Sequence, residues 1–185
     1  GLFDRPLTDP LRATHDLLRP ESRTLARTFA RDCMVLLKNT QDLLPLQGFK
    51  KILMAGNFVH ACAELFGTWT PDGNPADVTP LAEAIQQVAP RDVELWFAEQ
   101  PDLALDYAQR VDAVVLVLGE HPLRSGENSN VSDLGLPPGQ AELVQAMSAL
   151  GKPLVLVVFA GRPLAITQQV AQADAVLYAW HPGIE

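Results

Sequence analysis

The sequence predicts an α/β fold, a three-layer sandwich around a largely parallel sheet, on three observations. Ala113-Val114-Val115-Leu116-Val117-Leu118 and Pro153-Leu154-Val155-Leu156-Val157-Val158-Phe159 are β-branched runs, apolar on both faces. Strands buried under helices on both sides read this way, whereas half-exposed strands alternate. Segments of helical spacing alternate with the strand-like runs, as repeated β-α-β units require. A glycine, Gly151, stands just past the helical segment Gln140–Leu150, at the position where helices commonly end.

The remaining elements follow in chain order. The first twenty residues are rich in Pro, Arg and Asp and lack periodicity, so they read as a linker, with the α/β domain over 21–185. From Glu21 the spacing of Leu25, Phe29, Cys33 and Leu36/Leu37 predicts one helix running to about Lys38, ended by Asn39-Thr40-Gln41-Asp42. Lys51–Gly56 is a strand closed by Gly and Asn. A long loop containing Gly67, Pro71, Gly73 and Pro75 follows, of a length that suggests function. Thr79-Pro80-Leu81 opens a helix to Val88, with proline at its start. Val93–Phe97 is a strand, Leu103–Arg110 a helix, and Ala175–Ala179 the last strand. A helix normally follows such a strand in a doubly wound fold, so the pattern is that of a sandwich truncated at its C-terminal end.

Composition narrows the class. With 185 residues, 48% hydrophobic and 19% charged, the chain has the make-up of one globular domain. A formal net charge of -8 repels phosphate backbones, so no nucleic-acid partner is expected. No apolar run approaches the roughly 20 residues that span a bilayer, and no membrane partner is expected either. Gly1–Pro6 do not read as the start of a signal peptide. Cys33 and Cys62, both in apolar stretches, are expected as two small buried hydrophobes. His15, His60, His121 and His181 show no metal-ligand spacing, and surface or turn roles are expected for them. Ser125-Gly126-Glu127 is not a Gly-x-Ser-x-Gly elbow, and Met54–Phe58 holds one glycine where a dinucleotide fingerprint needs three. No cofactor is therefore expected.

Several stretches in order carry a resemblance. They are Ala30–Asn39 with Leu43-Leu44-Pro45-Leu46; Gly67-Thr68-Trp69-Thr70; Val117-Leu118-Gly119-Glu120 with Ser125-Gly126-Glu127 and Ser132–Pro137; Lys152–Val157; Gly161-Arg162-Pro163; and Trp180–Glu185. Together they resemble the second domain of β-glucosidases of glycoside hydrolase family 3, and Gly1-Leu2-Phe3-Asp4 is similar to the exit of that family's barrel into its linker. The resemblance covers almost the whole chain.

It implies terminal β-D-glucoside hydrolysis with retention, in a site shared with an N-terminal barrel that carries the nucleophilic aspartate. Retention needs two carboxyl groups roughly 5–5.5 Å apart, so a chain holding only one of them is expected to be inactive alone. Glu127, in a polar Gly-containing loop after a central strand, is then the candidate acid/base; on its residues alone it reads as a solvated loop glutamate. Glu120, directly at the strand end, is the rival, read as structural. Trp69 is the candidate for stacking an aglycone-side sugar, or else an anchor of its own loop. Trp96 is expected in the core, and Trp180 and Arg162 in packing or the domain interface. Asn130-Val131-Ser132-Asp133 stands where many relatives have Ser-Arg-x-Asp, a departure that removes a positive donor from the loop. The resemblance also places the protein in the periplasm or outside the cell, with a β-glucoside or oligosaccharide substrate. The alternative function is a non-catalytic scaffold or sugar-binding domain, as in the β-N-acetylhexosaminidase branch, which needs neither the Glu127 nor the Trp69 loop.

Overall fold

A computed structural model describes residues Gly1–Glu185. Six strands form one sheet: β1 (Val35–Asn39), β2 (Lys51–Ala55), β3 (Glu94–Ala98), β4 (Ala113–Gly119), β5 (Leu154–Phe159) and β6 (Ala175–Tyr178), in the order β1-β6-β5-β4-β2-β3. Every neighbouring pair is parallel except β1 with β6. The helices are α1 (Arg12–Asp16), α2 (Pro20–Cys33), α3 (Leu81–Val88), α4 (Pro101–Ala108), α5 (Gln140–Ser148) and α6 (Thr167–Gln172). The sandwich class is as expected, and β4 is buried along its whole length.

Strand order and crossover handedness determine where the helices lie. The chain steps from β2 outward to β3, then crosses back over β2 to β4 and continues through β5 to β6. Right-handed crossovers put α3 on one face and the three helices of the reverse run, α4, α5 and α6, on the other. The packing agrees. Leu53, Leu116, Leu118, Leu156 and Val158 meet Ala104 and Ala108 of α4 and Val144 and Met147 of α5. On the opposite face Met54, Val117 and Phe159 meet Ala82 of α3 together with Phe58, Val59 and Leu65 from the loop after β2. One helix cannot cover six strands, and an apolar trough of about 520 Å³ lies beside α3, lined by Met34, Leu46, Met54, Val115, Val157 and Phe159 among others.

Two expectations are corrected here. The single helix expected over Glu21–Lys38 is two elements: α2 ends at Cys33, Met34 turns to extended geometry, and Val35–Asn39 is strand β1. Its apolar run satisfies its backbone by pairing antiparallel with β6, Val35 opposite Tyr178 and Asn39 opposite Ala175, a tertiary demand that outweighs helical spacing. Lys38 is part of the same arrangement, its ammonium donating to the carbonyls of Val170, at 3.0 Å, and Ala173 at the end of α6. The second correction concerns the cysteines: Cys33 is exposed, because α2 keeps its stripe of Leu25, Phe29 and Cys33 off the core, and Cys62, in the loop after β2, is half-buried.

Residues 1–20 hold only α1 and the first turn-forming proline of α2, with no buried residue. No helix is long and apolar enough to cross a membrane.

Candidate functional site

In an open parallel sheet, ligands bind beyond the carboxyl ends of the strands, where neighbouring connections leave in opposite directions. Here that point lies between β2 and β4, which pair directly, Ala55 opposite Leu116. The loop after β2 carries Trp69 and the loop after β4 carries Glu120 and Glu127. The structure thus brings the sequence candidates to one end of the sheet on adjacent strands.

Gly119 ends β4, and its backbone runs so close to β5 that a Cβ there would lie 1.8 Å from the Phe159 carbonyl oxygen. Glycine is required by that approach. The side chain of Gln140, at the start of α5, closes the same strand end: its Oε1 accepts from the Gly119 N–H at 3.0 Å and its Nε2 donates to the Gly119 carbonyl at 2.9 Å. The same Nε2 lies 3.3 Å from Asn57 Oδ1 in the loop after β2.

Glu120 follows, buried to 1% exposure, its N–H donating to the Phe159 carbonyl. Arg162 Nε donates to Oε2 at 2.9 Å and Nη2 to Oε1 at 2.6 Å, while Arg124 Nε donates to Oε1 at 3.0 Å. Burial alone would raise the pKa of this carboxyl. The hydrogen bonds from Arg162 and then Arg124 outweigh burial and hold it below its ordinary range. The paired Arg162 guanidinium is raised in turn by the bond to Glu120. Tyr178 completes the group: its hydroxyl donates to the Arg162 carbonyl at 2.6 Å, burial pushes its pKa up to about 12, and its ring packs on Trp180 at 4.7 Å. A carboxylate locked by two cations is suited to holding loops together, and has no proton to offer near neutral pH.

Glu127 is exposed, at the apex of a tight turn between Gly126 (φ +103°) and Asn128 (φ +59°), closed by the Ser129 N–H on the Gly126 carbonyl. Trp69 is 71% exposed, so it does not anchor its loop in the core. Trp96 lies elsewhere, half-buried on β3 with its edge on Tyr107 and its indole N–H donating to Glu94 at 2.7 Å.

Three contributors are not among the residues that the sequence singles out for the site. The Thr68 hydroxyl donates to main-chain carbonyls of the loop after β4, and the Gln140 amide bonds the main chain of Gly119. His181, expected at the surface or in a turn, is instead enclosed between Gly67 and Gly161, whose added Cβ atoms would meet its ring at 3.3 and 3.1 Å. Both of its ring nitrogens are shielded from solvent without a hydrogen-bond partner, and burial lowers its pKa against the opposing pull of the Glu64 carbonyl and Glu120. His121 accepts from the Leu123 N–H, a turn role as expected; His15 and His60 are exposed. No cluster of three or more His, Cys, Asp or Glu side chains could hold a metal ion.

Comparison with known proteins identifies the domain's relatives. Residues 34–185 match the glycosyl hydrolase family 3 C-terminal domain. The chain is 29% identical to a periplasmic beta-glucosidase of Salmonella typhimurium, an alignment covering 100% of the chain and 29% of that protein. It is 28% identical to a beta-xylosidase of Formosa agariphila, covering 100% of the chain and 28% of the relative. Among solved structures, the beta-glucosidase from Listeria innocua in complex with gluconolactone superposes with a TM-score of 0.89 at 32% identity, over 100% of this chain and 26% of that one. The chain thus spans between a quarter and a third of the length of these relatives.

Proposed function

Because the chain belongs to the glycosyl hydrolase family 3 C-terminal domains, a family of glycosidase components, we propose that it is the second domain of a retaining β-glucosidase. In this reading residues 1–20 lead from an N-terminal barrel, and 21–185 form the domain that closes over the barrel's sugar site. Glu127 is the acid/base, Trp69 stacks the aglycone-side sugar, and the nucleophilic carboxylate comes from the barrel. One observation carries the reading: an exposed carboxylate and an exposed indole stand on adjacent loops at the switch point of the sheet, while the other carboxylate of the loop, Glu120, is fully engaged by two arginines. The name of the Salmonella relative favours a periplasmic or secreted protein.

The division of labour is plain chemistry. An exposed carboxyl can be desolvated when a partner domain and substrate close over it, which raises its pKa toward the operating pH and lets it protonate a leaving oxygen. Glu120, held anionic by Arg162 and Arg124, cannot follow. Two measurements test the whole. The full-length protein should hydrolyse aryl β-glucosides with the β-anomer as first product, followed by NMR; α-anomer as first product refutes retention. The 185-residue chain alone should release no nitrophenol above background, because in this reading the nucleophilic carboxyl group belongs to the barrel.

Trp69→Ala in the full-length protein is expected to raise KM for disaccharides several-fold more than for small-aglycone substrates. Remote stacking is lost while the chemistry remains, a loss of about 1 kcal/mol for one sugar face on one ring. Unchanged KM for both substrate types would remove Trp69 from the site.

A further inference from the structure

We propose that Thr68 is a positioning residue that fixes the Glu127 turn against the Trp69 loop, an inference that rests on Glu127 being the acid/base. The Thr68 hydroxyl lies 2.6 Å from the Pro122 carbonyl and 2.7 Å from the Ser125 carbonyl. Its single hydrogen is shared between two acceptors on the loop after β4. Up to Ser125 that loop is stiffened from within: the Arg124 N–H donates to His121, the Ser125 N–H to Pro122, and the Ser129 hydroxyl to Leu123. Thr68 attaches this unit to the loop after β2, at a point two residues before Glu127.

The methyl of Thr68 limits the approach that the hydroxyl draws in. A Cβ at Gly126 would lie 2.9 Å from Thr68 Cγ2, so the bare Cα of Gly126 rests directly on that methyl. With φ at +103°, Gly126 also turns the chain into the tight Gly126–Ser129 reversal that presents Glu127. On the other side, Gly67 packs on the enclosed His181 ring, which prevents Thr68 from drifting with its own loop. Both branches of the threonine side chain therefore set where Glu127 stands relative to Trp69.

Thr68→Val and Thr68→Ala in the full-length protein, measured over a series of aryl β-glucosides and a disaccharide, test this. A displaced acid harms poor leaving groups selectively, and a misplacement on the order of 1 Å costs up to ~10²-fold. The expected result is a roughly 10–100-fold loss of kcat/KM on the disaccharide and a loss within about threefold on the dinitrophenyl substrate, with Thr68→Ser, which keeps the hydroxyl and loses only the methyl, showing a selective loss smaller than Thr68→Ala. In a Glu127→Gln background Thr68→Val should add no further leaving-group dependence. A uniform loss across the series, a wild-type profile in both variants, a selective loss in Thr68→Ser as large as in Thr68→Ala, or failure of both Val and Ala variants to fold overturns the proposal. If Glu127→Gln itself shows no leaving-group dependence, the acid/base assignment has failed instead, which the same series reveals separately.

Discussion

Glu127→Gln in the full-length protein is expected to lower kcat/KM on cellobiose-like substrates roughly 10²–10⁴-fold. A sugar alcohol leaves poorly as an alkoxide and needs its proton, whereas dinitrophenolate is stable without one. Formation of the glycosyl-enzyme from dinitrophenyl β-glucoside should therefore be nearly spared. Its hydrolysis should slow, because water attacking the intermediate has lost its base. Azide needs no base, so it should restore turnover and give the β-glucosyl azide. Rescue of Glu120→Gln in place of Glu127→Gln would mean the two glutamates have been interchanged; rescue of neither would move the acid/base out of this domain and favour the scaffold alternative.

The second large effect is on stability, at Glu120. Glu120→Gln leaves Arg162, only 19% exposed, facing an amide that cannot balance its charge. Removing one member of a buried pair costs about 3–5 kcal/mol, and the 39% exposure of Arg124 reduces that to roughly 2–4 kcal/mol here. A thermal melt of wild type and variant near neutral pH should show the difference as a clear drop in midpoint, with no azide rescue of activity. The pH dependence identifies the cause. The folded-state pKa of Glu120 lies below its unfolded value, so its contribution is complete above the unfolded value of about 4.3 and fades as pH falls through the folded pKa. The gap between wild type and Glu120→Gln should be constant from about pH 6 to 8 and narrow below about pH 4. A gap that stays constant into acid would show that packing, and not the ion pair, is what the substitution removes.

The parts of this fold that are legible in the sequence are those where composition and burial say the same thing. The central runs are apolar throughout because both faces are covered, and β4 and β5 are where the sequence puts them, at Ala113–Gly119 and Leu154–Phe159. β1 is illegible for the opposite reason. Leu36 and Leu37 continue the helical phase of Leu25 and Phe29, and only the β6 edge, about 140 residues away, makes them a strand. Helix α6 is six residues long, too short for periodicity to register. At the site, Glu127, Glu120 and Trp69 could be singled out because loop position and residue type suggest chemistry. The two arginines on Glu120 and the hydroxyl of Thr68 could not be paired with their targets, since these contacts join residues 42 to 57 positions apart or follow from the local path of a turn.

The direct pairing of β2 with β4 has a consequence for redesign. Parallel neighbours stand about 4.8 Å apart, so the two loops start from bases whose separation the buried sheet fixes. Any change of reach between indole and carboxylate must come from the loops themselves. They leave the sheet in opposite directions, toward β3 and toward β5, so either can be lengthened without threading the other. A combinatorial library for new glycosides would therefore diversify Thr70–Asn74 and Asn128–Asn130 independently, with Thr68, Trp69, Gly126, Glu127 and the Glu120 pair held constant as the hinge-side frame that keeps every member of the library in register.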